Sequence, residues 1–144
     1  MTKLQKLSLF LLRISMGWLM LYAGISKIIK PGWTAAGYLG SAKTLPSLYA
    51  WFAGPGILSV VNFLNEWGAV LIGISLILGI LVRVSSIFGI ILMILYYLPV
   101  LQFPYVGANS YIIDQHVIYI ITFAVLAAFD AGRTFGLDAK IFKN

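Results

Sequence analysis

The stretch that decides the fold is VSSIFGIILMILYYLPVL, residues 84–101, in which no side chain is charged. A run of about 18 to 20 apolar residues is long enough for a helix to cross the hydrocarbon core of a bilayer. Three further apolar runs of similar length lie at residues 7–29, 64–82 and 112–129. Because lipid offers no hydrogen-bond partners, such runs cross a membrane only as helices. The sequence therefore predicts an all-α integral membrane protein built as a four-helix bundle.

The composition leads to the same class for the chain as a whole. Of its 144 residues, 61% are hydrophobic and 10% are charged. A soluble domain of this size could not cover so much apolar surface, because small folds leave a large fraction of their surface exposed. We therefore expect residues 1–144 to form a single membrane domain, with the lipid bilayer as its first partner.

The basic residues mark the ends of the apolar runs instead of forming a patch. The formal net charge is +6, but this placement is typical of membrane anchoring, so we expect no nucleic-acid partner. With the N-terminus inside, the inner basic side chains outnumber the outer ones, which predicts cytoplasmic N- and C-termini. We expect a multi-pass protein of a prokaryotic plasma membrane. The inner set is Lys3, Lys6, Arg83, Arg133, Lys140 and Lys143, and the outer set is Lys27, Lys30 and Lys43.

The chain contains no cysteine and a single histidine, His116. Disulfides, iron–sulfur clusters and thiolate zinc sites made from this chain's own residues are therefore excluded, and a haem held by two of its histidines is disfavoured. We expect no intrinsic cofactor and no metal site. Any redox role would use a diffusible carrier such as a quinone, or the cofactor of a partner subunit.

One connection, residues 31–63, is long and rich in aromatic residues. Prolines break it, and tryptophan, tyrosine and phenylalanine side chains are spread between them. Aromatic side chains at headgroup depth explain such a composition. We predict an interfacial aromatic-rich loop on the outer face with a short helix at about residues 46–53, and a short outer hairpin at residues 102–111.

Three ionisable side chains are predicted to lie at one membrane depth. Counting a rise of about 1.5 Å per residue from the inner end of each helix places Lys27, Glu66 and Asp114 close to the outer boundary of a hydrocarbon core that is about 30 Å thick. His116 lies in the same turn as Asp114. Ionisable groups at this depth usually face a protein interior or a wet cavity, which makes them candidates for a functional site.

Each of these residues also has a purely structural interpretation. On a continuous helix Asp114 and His116 point about 200° apart, so we expect Asp114 to be the N-cap and the next residue to begin the helix. His116 then shares an inward face with Tyr119. For Glu66 the alternative is an ion pair with Lys27 that only holds helices together, and for His116 it is a hydrogen-bonded interfacial side chain.

Arg13 is predicted to lie in the inner half of the first helix. It shares one face with Gly17, Gly24 and Lys27, and small residues on that face allow another helix to approach closely. We predict an ion pair between Arg13 and Asp130, with snorkelling of the arginine to the inner headgroups as the alternative.

A cation, a carboxylate, an imidazole and aromatic rings at one depth are groups that can bind a quinone. They hydrogen-bond its carbonyl oxygens and exchange its protons, and an imidazole suits the proton step because its pKa lies near neutrality. The same groups suit a proton path or a small-solute pocket. Tyr96 is interpreted as an aromatic of the membrane interface, and no catalytic residue is assigned. The candidate residues for binding a quinone or small solute are Lys27, Glu66, Trp67, His116 and Tyr119.

Several different short motifs are distributed along nearly the whole chain. They are Arg13-x3-Gly17, Gly24-x2-Lys27, Asn65-Glu66-Trp67-Gly68, Asp114-Gln115-His116-Val117-Ile118-Tyr119 and Gly132-Arg133-x2-Gly136-Leu137-Asp138. In order and spacing they resemble those of the DoxX family of small membrane proteins, which includes DoxD-like members. The resemblance implies a four-helix bundle. Some DoxD-type relatives are described as membrane subunits of a thiosulfate:quinone oxidoreductase, so the resemblance also implies a quinone and a partner subunit.

The leading hypothesis is a membrane subunit of a quinone-linked oxidoreductase or respiratory complex, with an outer-leaflet pocket for a quinone or small solute. Because the chain has no cysteine and no cofactor motif, it fits a subunit better than a self-sufficient enzyme. We therefore expect other membrane or respiratory-complex subunits as partners. The alternatives are a non-catalytic accessory or assembly subunit and a small transporter.

Overall fold

The computed structural model describes residues 1–142, and most of them are helical. Three very short strands and one 3₁₀ turn interrupt the helices. The helices are α1 Lys3–Ile29, α2 Ala36–Gly40, α3 Pro46–Phe52, α4 Leu58–Leu78, α5 Val82–Val100, α6 Gln115–Ala128 and α7 Asp138–Ile141, with the 3₁₀ turn at Ala131–Arg133. The strands are β1 Leu101–Gln102, β2 Tyr105–Val106 and β3 Ser110–Tyr111.

Three of these helices, α1, α4 and α5, are long and apolar enough to cross a membrane. The fourth predicted span, 112–129, is occupied by α6, which is also apolar but has only 14 residues. Its length is about 21 Å at 1.5 Å per residue, less than the ~30 Å hydrocarbon core. The chain is thus mostly helical, with three candidate membrane-spanning helices, and a fourth crossing stays a prediction.

The boundaries of α4 differ most from the prediction of 64–82. The helix begins six residues earlier, at Leu58, and ends at Leu78. Gly79 ends it with a left-handed backbone, φ 69°, and its N–H donates to the Ser75 carbonyl at 2.9 Å. Both the left-handed backbone and the packing disfavour a side chain at Gly79, because a Cβ there would lie 2.6 Å from the Cα of Gly136. The apolar residues that follow Gly79 concealed this turn in the sequence.

Glycines set the closest helix contacts, which occur between α1 and α4 and between α5 and α6. A Cβ on Gly24 of α1 would lie 2.7 Å from the backbone oxygen of Glu66, and one on Gly73 of α4 would lie 2.5 Å from the Leu21 nitrogen. On α5, a Cβ on Gly89 would lie 2.5 Å from the Phe123 ring. Small residues at these points allow the backbones to approach. The α4–α5 contact is less extensive, so the molecule consists of two close helix pairs joined along a looser seam.

Arg13 is fully buried, and its partners are backbone carbonyls. One guanidinium nitrogen donates to Ala131 O at 2.6 Å and to Thr134 O at 3.0 Å, and the other donates to Phe135 O at 3.2 Å. The predicted ion pair with Asp130 is therefore wrong within residues 1–142. The chain reverses at Asp130, where φ is 45°, and the carbonyls of the following turn converge on the guanidinium instead.

The C-terminal segment, residues 130–142, also closes the turn between α4 and α5. The backbone N–H of Asp138 donates to Gly79 O at 2.8 Å. Its carboxylate accepts from the N–H groups of Leu81 at 2.7 Å and Val82 at 3.1 Å. These N–H groups lie at the start of α5, where a helix leaves its donors unpaired and favours negative charge. Arg13 and Asp138 together fix this segment across the end of the helices that we call the Arg13 end.

The long connection between α1 and α4 contacts the opposite end of α5, at the end of the molecule that is called here the Lys27 end. Pro99 lies in the last turn of α5 and has no N–H, so the Leu95 carbonyl lacks its helical donor. The buried Tyr49 of α3 supplies one, because its hydroxyl donates to Leu95 O at 3.0 Å. The Lys43 N–H donates to Pro99 O at 2.9 Å. The connection therefore caps the C-terminus of α5.

The local structure of the two predicted connections differs in detail from expectation. The helix expected at residues 46–53 is present as α3, whereas α2 was not predicted. The expected hairpin at residues 102–111 is a three-stranded antiparallel sheet in the order β1-β2-β3. The position of the aromatic-rich connection at the membrane interface stays a prediction.

Candidate functional site

Lys27, Tyr96 and Asn65 form a chain of hydrogen bonds that joins α1, α5 and α4. The Lys27 ammonium donates to the Tyr96 hydroxyl at 2.8 Å, and that hydroxyl donates to Asn65 Oδ1. The Asn65 amide is oriented by its own donation to Val61 O at 2.8 Å. The ammonium also lies 5.3 Å from the centre of the Trp33 ring and 5.1 Å from that of Tyr96, distances at which a cation is attracted to a ring face.

Asp114 and His116 form the second half of the site, at the start of α6. Asp114 is the N-cap, and one of its oxygens accepts from the N–H of His116 at 2.9 Å and of Val117 at 3.3 Å. This confirms the predicted cap, with Gln115 as the first helical residue. The other oxygen lies 2.6 Å from His116 Nδ1. The backbone of Asp114 is extended, which brings together two side chains that would diverge on a continuous helix.

Tyr96 connects the two halves. Its ring meets the His116 ring edge-on, with centroids 6.1 Å apart. Interpreting Tyr96 only as an interfacial aromatic was therefore wrong, because its hydroxyl is the centre of the polar cluster. A sequence signal did exist: Gly89, Met93 and Tyr96 recur at the spacing of one inward helix face. We call Lys27, Asn65, Tyr96, Asp114 and His116 together the Lys27 cluster.

A cavity of about 150 Å³ opens beside Tyr96, between the long connection and helices α4 and α5. It is called here the Tyr96 cavity. Most of its lining is apolar, and its polar side chains are Tyr38, Tyr49, Asn65 and Tyr96. Tyr38 donates to the backbone oxygen of Tyr96, which fixes the connection against α5.

The two tyrosines of the connection remain neutral donors over a wide pH range. Burial, with smaller contributions from Tyr49 and Asp114, raises the pKa of Tyr38 to about 12. Burial likewise raises the pKa of Tyr49. Removing a hydroxyl group from water disfavours its ionised form. The Tyr96 cavity is thus bordered by uncharged hydroxyl groups.

The other predicted binding residues differ in burial and in their contacts with this cluster. Glu66 is half-buried beside Gly24, and within residues 1–142 its carboxylate makes no hydrogen bond or ion pair. The alternative of a Lys27–Glu66 ion pair is not formed, because the ammonium is held by Tyr96. Tyr119 is partly buried against the helix core. Trp67 is 45% exposed on the outer surface of α4. Of the five candidates, Lys27 and His116 are brought together, through Tyr96.

No metal centre is apparent in the described part of the chain. Residues 1–142 contain no group of three or more His, Cys, Asp or Glu side chains placed to hold an ion. Within the same residues His116 contacts one carboxylate, that of Asp114, which already accepts two backbone N–H groups. The Lys27 cluster is held together by hydrogen bonds and aromatic contacts among its side chains.

Comparison with known proteins identifies the family. No curated protein and no solved structure matches the chain. The family model DoxX matches residues 8–101, a range that contains Lys27, Asn65 and Tyr96 but ends before Asp114 and His116. Because the match covers more than half of the sequence, the chain belongs to the DoxX family.

Proposed function

We propose that this protein is the membrane subunit of a quinone-linked oxidoreductase and that it binds the quinone ring at the Lys27 cluster. The proposal rests on the hydrogen bonding of the Lys27 ammonium. This group has three N–H donors, yet in the described residues its one hydrogen bond goes to a neutral hydroxyl. Within residues 1–142 no carboxylate lies at ion-pair distance from this ammonium, and a cation so placed among packed helices favours a ligand that brings acceptor oxygens.

The remaining groups suit the chemistry of quinone reduction, in which two electrons and two protons convert the quinone into a quinol. Lys27 would donate a hydrogen bond to one carbonyl oxygen and stabilise the negative charge that develops there. With Nδ1 of His116 held by Asp114, Nε2 is the atom that would pass protons. The electrons would come from a redox cofactor of a partner subunit, because this chain has no cysteine to hold one.

The proposal includes a membrane arrangement. We propose that α6 is the fourth helix of a bundle in a prokaryotic plasma membrane, with both termini in the cytoplasm. Its support is that α6 packs on α5 and α1 and has no Asp, Glu, Lys or Arg between Gln115 and Ala128. The basic residues of the Arg13 end, including Lys3, Lys6 and Arg83, favour the cytoplasmic side for that end. The Lys27 cluster would then lie towards the outer leaflet.

Quinone binding by the purified protein tests the proposal. The protein is extracted in mild detergent and titrated with a water-soluble quinone of short tail, with tryptophan fluorescence as the signal, since Trp33 lies against Lys27. We expect Lys27→Met to weaken binding about 10- to 100-fold, the equivalent of a hydrogen bond to a charged group of about 1.5–3 kcal/mol. Lys30→Met is the matched control, because Lys30 is exposed at the end of the same helix.

A second measurement separates binding from proton exchange. His116→Gln should leave quinone affinity within a few-fold of the wild type but slow quinol formation by the assembled complex. Equal affinity of the wild type and Lys27→Met would contradict the ring site. A wild-type protein that binds no quinone, yet co-purifies with respiratory subunits, would favour the alternative of a non-catalytic assembly subunit.

A further inference from the structure

A long apolar groove runs along the seam between α4 and α5. Its volume is about 530 Å³, and it extends from Leu64 to Ser75 on α4 and from Leu81, just before α5, to Leu95 on α5. At 1.5 Å per residue these stretches correspond to about 16 Å and 21 Å. Since α4 and α5 are candidate membrane spans, this surface, called here the α4/α5 groove, would lie within the hydrocarbon core.

The groove presents a hydrocarbon surface throughout its length. Its only polar side chains are Ser75 and Ser85, and both have partners. The Ser75 hydroxyl donates to that of Ser85 at 2.8 Å, and the Ser85 hydroxyl donates to Val82 O at 3.1 Å. With these groups satisfied, the groove offers shape and apolar contact, which suits an aliphatic chain.

Gly68 keeps the middle of the groove open. A Cβ at this position would meet no atom within 4 Å, whereas a Cβ on Gly73 of the same helix would lie 2.5 Å from Leu21. Glycine in a helix interior costs roughly 0.5–1 kcal/mol relative to alanine. At Gly73 that cost permits close packing of α1, but at Gly68 no neighbouring residue requires it. What the missing side chain provides at Gly68 is the space of the groove itself.

The groove adjoins the Tyr96 cavity. Leu64, Leu92 and Leu95 line both spaces. From this junction the cavity leads to the side chains of Asn65 and Tyr96. The adjacent spaces therefore suit a single molecule that places a polar head in the Tyr96 cavity and a long apolar tail in the α4/α5 groove.

We propose that the α4/α5 groove holds the isoprenoid tail of the quinone. This inference rests on the proposed function, because it takes the ring to lie at the Lys27 cluster. The junction favours a quinone over a phospholipid. The cavity beyond it is small, its lining within residues 1–142 holds no cation, and the hydroxyl groups of Tyr38 and Tyr49 already donate to backbone oxygens. Such a lining admits an uncharged ring but would not repay the desolvation of a phosphate.

The test combines substitutions that fill the groove with quinones that differ in the length of the tail. Gly68→Phe places a ring in open space, and Gly68→Leu is a smaller filling that guards against misfolding. Ile74→Phe places the same ring on the same helix at an exposed position outside the groove. Each variant and the wild type, all checked for monodispersity, are titrated in lipid nanodiscs with a tailless benzoquinone and with the same ring carrying a tail of several isoprene units.

We expect Gly68→Phe to weaken binding of the tailed quinone about tenfold or more, with a smaller loss for Gly68→Leu and none for Ile74→Phe. Binding of the tailless quinone should be unchanged in all three variants. Equal loss for both quinones, or loss for neither, would overturn the tail site while leaving the ring site in place. Native mass spectrometry that shows Gly68→Phe losing a phospholipid, with the tailed quinone retained, would overturn it in favour of a lipid. Failure of both quinones to bind the wild type would refute the proposed function itself.

Discussion

Replacing Arg13 with methionine is the perturbation whose cost follows most directly from the structure. The guanidinium donates three hydrogen bonds to Ala131, Thr134 and Phe135. Bonds that involve a charged donor contribute about 1.5–3 kcal/mol each, but the burial of the charge opposes part of this. Arg13→Met leaves neutral backbone carbonyls without this donor, and leaving a buried polar group unpaired costs about 1–3 kcal/mol. We expect Arg13→Met to lower the free energy of unfolding by about that amount.

Two readouts separate this effect from a general loss of stability. Equilibrium unfolding in detergent micelles gives the free energy, and limited trypsin digestion reports on the C-terminal segment, where Arg133 and Lys140 are exposed. Arg13→Met should accelerate cleavage at both sites before the helices unfold. Arg13→Lys should recover only part of the stability, because an ammonium cannot reproduce the planar fork of the guanidinium.

The matched control is Lys6→Met, which removes a positive charge from an exposed position on the same helix. It should change the free energy of unfolding by less than about 0.5 kcal/mol. If Arg13→Met were within 1 kcal/mol of the wild type, with trypsin cleavage unchanged, then the carbonyl contacts would not hold the segment and the structural role of Arg13 would be refuted.

Three further predictions concern the rest of the scaffold. Tyr49→Phe leaves the Leu95 carbonyl unpaired and should lower the free energy of unfolding by about 1–3 kcal/mol; a value indistinguishable from the wild type would show that another group pairs with this carbonyl. Gly73→Ala places a methyl group 2.5 Å from Leu21 and should cost more than about 2 kcal/mol, whereas Gly37→Ala, where a Cβ meets nothing within 4 Å, should be close to neutral in the same assay. The pKa of Tyr38 is raised on folding from 10.0 to about 12, so the stability that depends on its neutral form is present below pH 10 and is lost as the pH rises through 12; thermal melts from pH 9 to 12 should therefore show a steeper decline for the wild type than for Tyr38→Phe, and parallel curves would contradict the shift.

The spanning helices could be predicted from the sequence because a membrane imposes a length and a composition on them. The run at residues 84–101 differs from α5 by only two residues at its start and one at its end. Hydropathy does not mark the turn after Gly79, because apolar residues lie on both sides of it. The predicted second span therefore extends beyond the last residue of α4. The N-cap at Asp114 could be predicted because capping depends on the local chain, two to three residues away.

The partners of the polar side chains were harder to predict, for a physical reason. Sequence reasoning pairs opposite charges, since those are the groups that residue types reveal. Arg13 instead bonds to backbone carbonyls of the turn after Asp130, and Tyr49 bonds to the Leu95 carbonyl that has no helical donor. Every residue has a carbonyl, so residue types do not single these out. Lys27 likewise pairs with the hydroxyl of Tyr96 in place of the carboxylate of Glu66. These contacts are determined by where a helix ends or a proline interrupts it, and only the folded chain shows that.

The arrangement of the helices gives a reason why a ligand site would lie where the cluster and the groove are. Glycines bring α1 against α4 and α5 against α6, and such close backbone packing leaves no room for a ligand. The connection and the C-terminal segment then cap opposite ends of α5, which fixes the two pairs relative to each other without filling the seam between α4 and α5. Both the Tyr96 cavity and the α4/α5 groove open on that seam. A frame with an unfilled seam can hold a ligand along its length without a large rearrangement, so binding would cost little ordering of the protein.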